Sequence, residues 1–354
     1  MVGFPHIVIF VALVLVPLGC VMNWWASFLS ISQGEPLVPY RARKTVSWGL
    51  LDLGVAIVVL AIVVSAGLWI VSGIAGISDT SDTSSLPPAQ QSALFFAFGT
   101  STLLATALIL GWLWARYQRI DGMDFSYLGP DIELGVRWFM MLIVPVILIQ
   151  LVLSFWFPSH HPLVEMLQES GDLSLLPVAA FAAVISAPIF EEILFRLLLQ
   201  GWMEKLQISR VRTALGLSTN TERNAVLLGG EINDNVTVSD VESVEKISTV
   251  PAPESRATDN PYAAPSTPVV DDTIVHSANA EGAKPVMWLP IIVSSALFSL
   301  AHLSHGPDWV ALFLLAIGLG YLYQRTGRIL PSMVVHFLVN ALAMMQLWAA
   351  VLQP

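Results

Sequence analysis

Two adjacent carboxylates and a guanidinium stand inside a largely apolar part of the sequence. Glu191, Glu192 and Arg196 occur within six positions of the run from Leu176 to Leu199. A charge at bilayer depth costs roughly 2.5–3.5 kcal/mol per residue on insertion scales, so charged residues there usually serve a function. The alternative is an ordinary helix end, at which Glu192 and Arg196, spaced four apart, pair on one face.

Two further polar sets lie on later apolar segments. Phe298 precedes His302 by four positions, and His336 precedes Asn340 by four positions. Residues four apart share a helix face, so His336 and Asn340 point the same way. A lone His in a membrane helix is as often an interhelical hydrogen bond as a ligand, and Asn340 alone is better explained by structure. The joint occurrence of the three sets, in this order on three apolar segments, is much less expected from packing alone.

These residue types suit the hydrolysis of a peptide bond. On an α-helix Glu191 is turned by about 100° from Glu192. Arg196 can therefore hold one carboxylate while the other faces the bundle. A carboxylate in an apolar cavity has its pKa raised, which suits a general base or acid. With an imidazole it could activate a water, while a second imidazole and an amide stabilise the oxyanion, generally worth a few kcal/mol.

A metal ion is the other chemistry that this set of residues allows. Glu191, His302 and His336 have the ligand types that a catalytic zinc accepts. The stretch from His302 to His305 lacks the Glu of H-E-x-x-H, so the familiar zinc-protease helix is absent. The single Cys20 excludes a disulfide framework and a multi-cysteine metal site. We therefore expect no cofactor, with a divalent metal such as zinc as the open alternative.

The elements that must position these residues are membrane helices. The chain has 354 residues, of which 55% are hydrophobic and only 12% charged, and its mean hydropathy is +0.70. Soluble domains carry roughly 25% charged residues. A spanning helix needs about 20 apolar residues. The sequence predicts an all-α polytopic bundle of about eight transmembrane helices, near 5–29, 47–75, 93–115, 138–157, 176–203, 286–303, 309–324 and 329–351.

The basic residues predict the orientation of this bundle. The loops near 77–92, 158–175 and 304–308 contain no Lys or Arg. With eight spans all basic loop residues fall on one side, which the positive-inside rule assigns to the cytoplasm. Both termini are then extracytoplasmic, in a multi-pass protein of the cytoplasmic membrane. The basic residues near helix ends include Arg41, Arg43, Lys44, Arg116, Arg119, Arg137, Lys205, Arg325 and Arg328.

Composition also predicts the domain organisation. Residues 1–175 form a region of four membrane helices without an assignable motif, and residues 176–345 form the core that carries the three polar sets. Residues 207–284 interrupt this core with an acidic, polar segment, expected to be a mostly disordered cytoplasmic loop. The net charge of −10 argues against a nucleic-acid partner. The expected partners are membrane lipids and a peptide or protein substrate.

The three polar sets resemble the motifs of the CPBP family of intramembrane proteases. This family contains type II CAAX prenyl endopeptidases, bacteriocin-processing and immunity proteins, and proteins like lysostaphin resistance protein A. Residues 191–196 resemble its first motif, 298–302 its second and 336–340 its third, and the run 319–327 also looks typical. The resemblance covers about 176–345. The family usually joins its first two motifs by a short connection, whereas this chain inserts 207–284.

The resemblance implies a glutamate-dependent endopeptidase with its site inside the bilayer. Glu191 and His302 would activate water, Glu192 and Arg196 would hold the local structure, and His336 with Asn340 would form the oxyanion pocket. Family members have been described both as metal-dependent and as metal-independent. The substrate class implied is a membrane-associated or lipidated peptide.

Two other functions compete with this one, and the predicted depths raise a difficulty. A scaffold or immunity-type protein would keep the motifs for packing without proteolysis. A transporter would place a polar site at the midplane, but broken helices and paired half-repeats are not evident. If residues 286–303 span the membrane, His302 lies several ångströms too deep to share a level with Glu191 and His336, at about 1.5 Å of rise per residue.

Overall fold

The computed structural model describes residues 14–38, 40–41, 45–77, 86–157, 175–214 and 286–351. Every regular element within these ranges is helical, which confirms the predicted all-α bundle. A 3-10 helix, Leu303–Asp308, separates the α-helices Trp288–Leu300 and Trp309–Thr326. The helices are α1 (Val16–Ser32), α2 (Leu50–Ala75), α3 (Pro88–Tyr117), α4 (Leu128–Ser154), α5 (residues 175–214), α6 (Trp288–Leu300), α7 (Trp309–Thr326) and α8 (Leu330–Val351).

Six helices in the described ranges are long and apolar enough to cross a membrane, namely α2 to α5, α7 and α8. The outer surface of α2 is apolar and open, with Ile62 63%, Trp69 78% and Ile74 83% exposed. Such a surface suits contact with lipid chains, and the chain is an integral multi-pass membrane protein. Each of the eight predicted segments overlaps a helix. The count of eight spans is not confirmed, because within the described residues α1 has 17 residues and α6 only 13.

Helix α5 is irregular at the place where the charged residues lie. Two π-helical stretches, Phe181–Ser186 and Glu192–Gln200, flank the α-helical turn Ala187–Glu191. Pro188 lies in that turn. It has no backbone N–H, and its ring clashes with the carbonyl four residues earlier, so the ordinary α-helical ladder cannot continue there. Widened π turns are one way to absorb such a break, and they are frequent at functional sites.

The widened turns leave backbone carbonyls for side chains from other helices. The Ala187 amide donates to the Ala182 carbonyl, five residues back. The next bond of this series would need an N–H on Pro188, which does not exist. The Ala183 carbonyl instead accepts a hydrogen bond from Nδ2 of Asn340 at 2.8 Å, which joins α8 to α5. In the second π stretch the Leu197 carbonyl accepts from Nε1 of Trp48 at 3.2 Å.

A buried polar network ties the start of α6 to α5 and α7. Gln200 donates to Glu204 at 2.9 Å and to the Gly320 carbonyl at 2.8 Å. Gln324 donates to Glu204 at 3.2 Å, accepts from the Met287 amide at 2.8 Å and donates to the Met287 carbonyl at 3.0 Å. Buried polar groups cost free energy unless they are hydrogen-bonded, and here the bonds are made between helices. The network therefore sets the level at which α6 enters the bundle.

Helix α4 packs directly against α7 and α8, so the two predicted regions share one bundle. Trp138 donates from Nε1 to the Gly318 carbonyl at 3.0 Å. A Cβ at Gly135 would lie 2.6 Å from Cβ of Val334, so only glycine permits this approach of α4 to α8. The described part of α5 continues to Ala214, and the rest of the predicted insert, up to residue 284, lies outside the described residues.

Candidate functional site

The carboxylate of Glu191 lies between two imidazoles that come from different parts of the chain. Oε1 of Glu191 is 3.8 Å from Nε2 of His302, which follows α6. Oε2 is 3.5 Å from Nε2 of His336, on α8. The Glu191 side chain is 18% exposed, and that of His302 19%. Three residues that are up to 145 positions apart in the sequence thus present their polar atoms to one small space.

The other nitrogen of each ring is already bonded, and this determines which nitrogen carries the hydrogen. Nδ1 of His302 is 2.8 Å from the Phe298 carbonyl, which can only accept, so His302 donates from Nδ1. Nδ1 of His336 donates to Oε1 of Glu192 at 2.9 Å. In each neutral ring Nε2 therefore turns a lone pair toward Glu191. Three acceptors face one another, and a water between two of them can donate one hydrogen to each.

The second carboxylate, Glu192, is buried between a guanidinium and an imidazole. Its Oε2 lies 3.7 Å from Nε of Arg196, and both side chains are completely buried. Its Oε1 is the acceptor for His336. The guanidinium carbon of Arg196 also lies 5.0 Å above the ring centre of Phe298. Glu192 therefore joins the charge of Arg196 to the orientation of His336, as a carboxylate does that fixes the tautomer of a functional histidine.

Asn340 lies one helical turn beyond His336, but it bonds to the backbone of α5 and not to a carboxylate. Its Nδ2 donates to the Ala183 carbonyl, so one amide hydrogen docks α8 onto the first π stretch of α5. The structure thus brings Glu191, Glu192, Arg196, His302 and His336 into one cluster, with Asn340 on its wall. Sequence reasoning did not find the acceptor of Asn340, although Pro188 signals that a carbonyl in the preceding turn lacks its helical partner.

A metal site is not evident from the donor geometry. Within the parts of the chain that the structure describes, no three His, Cys, Asp or Glu side chains form a group that could hold a metal ion. We therefore derive no step through a metal.

A comparison with protein families gives an independent finding. Residues 263–342 match the family model described as type II CAAX prenyl endopeptidase Rce1-like. The match confirms the resemblance to the CPBP family for this segment, which contains His302, His336 and Asn340 and begins after the charged part of α5. Comparison with curated proteins and with solved structures gave no match. The family match supports a membrane endopeptidase of this kind.

Proposed function

We propose that the protein is an intramembrane endopeptidase in which Glu191 is the general base. One observation carries the proposal: each carboxylate oxygen of Glu191 faces the Nε2 atom of a different histidine, at 3.8 and 3.5 Å. The 3.8 Å contact with His302 is longer than a hydrogen bond, and a water can bridge a polar contact of this length. A water between Glu191 and His302 donates one hydrogen to each, which points its oxygen lone pairs at a substrate.

The proposed reaction begins with attack of this water on the scissile carbonyl. Glu191 removes one proton from the water as its oxygen bonds to the carbonyl carbon, and the π electrons move onto the carbonyl oxygen. General base catalysis of this kind is typically worth about 10²–10⁴-fold. As the carbonyl re-forms, the C–N bond breaks and the proton held by Glu191 passes to the departing nitrogen. The products are an amine and a carboxylic acid, and Glu191 regains its charge.

The same geometry suggests an oxyanion donor. When the ring of His336 carries both protons, Nδ1 remains bonded to Glu192 and Nε2 donates to the developing oxyanion. In this state Glu192 lies 2.9 Å from the ring and Arg196 lies 3.7 Å from Glu192, so the three groups alternate in charge. A donor prearranged in this way is generally worth a few kcal/mol in the transition state. The second amide hydrogen of Asn340, not the one bound by Ala183, is the candidate for a further donor.

The substrate proposed is a membrane-associated or lipidated peptide. A site built from membrane-spanning helices reaches most readily a peptide that is already held at the bilayer. The orientation proposed rests on the basic ends of the helices. Arg41, Arg325 and Arg328 lie together, since the Arg41 amide donates to the Arg325 carbonyl and both Arg41 and Arg328 stack on Tyr127. We assign this end to the cytoplasm by the positive-inside rule, with both termini extracytoplasmic in the cytoplasmic membrane.

The test is cleavage by the purified protein reconstituted in lipid. Wild type, Glu191→Ala and His302→Ala are compared on a panel of lipidated and unlipidated peptides, with products identified by mass spectrometry. Glu133→Ala is the matched control, since Glu133 is a glutamate on α4 with 72% of its side chain exposed. We expect the wild type and the control to cleave at the same rate, with preference for lipidated peptides, and both site variants to lose activity.

Two outcomes contradict the proposal. If the wild type cleaves no peptide of the panel, the protein is not an endopeptidase of this substrate class. If Glu191→Ala and His302→Ala cleave normally, the cluster serves packing, as a scaffold or immunity-type protein would require, and the proposed roles are wrong.

A further inference from the structure

One apolar ring touches most members of the cluster. Phe298 on α6 is completely buried. Its ring centre is 4.8 Å from that of His302, at a tilt of 37°, and 5.7 Å from that of His336, nearly edge-on at 72°. The guanidinium of Arg196 lies over the ring at 5.0 Å, and Phe195 meets it edge-on at 5.3 Å. The ring thus contacts side chains from α5 and α8 as well as the residue four positions after its own.

These contacts act on the two imidazoles in different ways. His302 is held from two directions by the same residue, since its Nδ1 donates to the Phe298 carbonyl and its ring lies against the Phe298 ring. His336 is held on one side by Glu192 and on another by the edge of Phe298. A single rigid ring therefore fixes how far apart the two imidazoles lie. That separation decides whether both Nε2 atoms can face one carboxylate.

The ring also lies against a buried positive charge. Within the described residues, no nitrogen of Arg196 makes a hydrogen bond, and its closest opposite charge is Glu192 at 3.7 Å. The electron-rich face of an aromatic ring attracts a guanidinium, more strongly where both are removed from water. Phe298 therefore helps to keep Arg196 in the position from which it balances Glu192, and Glu192 in turn orients His336.

From these contacts we propose that Phe298 is a positioning residue that sets both imidazoles against Glu191. The inference rests on the proposed endopeptidase function. It assigns Phe298 no contact with the reacting atoms. A positional error of about 1 Å at a reacting centre can cost on the order of 100-fold in rate, so the loss of the ring acts on turnover more than on substrate binding.

The test compares the kinetics of three variants in the reconstituted full chain. Phe298→Leu removes the ring and keeps an apolar side chain, whereas Phe298→Tyr keeps the ring. Phe139→Leu is the matched control, because Phe139 is equally a buried phenylalanine but packs in the core of α1, α4, α7 and α8. We expect Phe298→Leu to lower kcat by about 10- to 100-fold with KM unchanged. Phe139→Leu should keep the wild-type kcat and pH profile, even if its thermal stability falls as far as that of Phe298→Leu.

The variant Phe298→Tyr distinguishes the effect of the aromatic ring from the effect of side-chain volume. Phe298→Tyr should retain more of the wild-type kcat than Phe298→Leu, and its pH profile should follow the wild type. Should the leucine variant fail to fold in a thermal unfolding assay, Phe298→Met replaces it, since methionine fills irregular apolar spaces.

The outcomes that overturn the inference differ from those that overturn the function. If the wild type cleaves but Phe298→Leu turns over like Phe139→Leu, Phe298 does not position the site and the proposed function stands. If Phe298→Tyr is as slow as Phe298→Leu, the ring is not the cause. If the wild type itself cleaves nothing, the function and this inference fall together.

Discussion

The same Glu→Gln substitution should lower mainly activity at position 191 and mainly stability at position 192, although the two residues are adjacent. Glu191→Gln removes a charge from a side chain that is 18% exposed and whose nearest imidazole atoms lie beyond hydrogen-bond distance. Glu192→Gln removes a charge from a completely buried side chain, 3.7 Å from Arg196 and 2.9 Å from His336. Size and shape are the same in both variants, so any difference between them reports the surroundings of each carboxylate.

The magnitudes follow from these surroundings. Removing one partner of a buried ion pair typically costs about 3–5 kcal/mol, because the remaining charge is left without a partner. That is a large part of the roughly 5–15 kcal/mol by which a native protein is stable. For Glu191→Gln we expect a change of stability within about 1 kcal/mol, because the carboxylate faces two neutral imidazoles and the substitution leaves no charge without a partner. Its activity should fall by about 10²–10⁴-fold, which is the usual contribution of a general base.

The assay has two readouts on the same preparations. Stability is followed by tryptophan fluorescence during SDS titration in mixed micelles, and activity by peptide cleavage per folded protein. Glu133→Gln controls for the loss of a glutamate charge at an exposed position on α4. Glu191→Gln with more than a tenth of wild-type activity would refute the general-base role. Glu192→Gln as stable as Glu191→Gln would refute the reasoning about the buried ion pair.

Three further predictions concern the surroundings of the cluster. Asn340→Ala leaves the Ala183 carbonyl without its partner, so stability should fall by about 1–3 kcal/mol; kcat should fall with it, and hydrogen exchange in the first π stretch should rise. Arg328→Lys loses the paired hydrogen bonds to Asp131 at the start of α4; it should unfold at a lower temperature, with an unchanged kcat per folded protein. Dialysis against EDTA or 1,10-phenanthroline should leave cleavage intact; loss of activity that zinc restores would show that the chemistry uses a metal.

Much of the fold was predictable because each membrane helix corresponds to a continuous apolar run in the sequence. A run of the required length has few alternatives in a bilayer, where backbone polar groups must be bonded internally. The all-α bundle is accordingly confirmed. The turn between α7 and α8 was also readable, since Arg325-Thr326-Gly327-Arg328 contains a glycine, and Gly327 ends α7 at a φ of 64°.

The sequence identifies candidate residues for the site, but it does not show which atoms they contact. Glu191, His302 and His336 stand out because polar residues are costly in apolar helices. Spacing along one helix says which residues share a face, but it does not say which faces of two helices meet. The contacts of the Phe298 ring and of the Ala183 carbonyl were therefore missed. Both depend on the π stretches of α5, which a 3.6-residue periodicity does not describe. The catalytic roles remain predictions.

The length of α6 resolves the difficulty over depth. At about 1.5 Å per residue its 13 residues measure about 20 Å, less than the roughly 30 Å of a bilayer core. Met287, just before α6, is tied through Gln324 to Glu204 on α5. From Glu204 back to Glu191, and from Met287 forward to His302, the chain rises by about 20 Å on each helix. His302 therefore reaches Glu191 at the end of a helix that is shorter than a complete span.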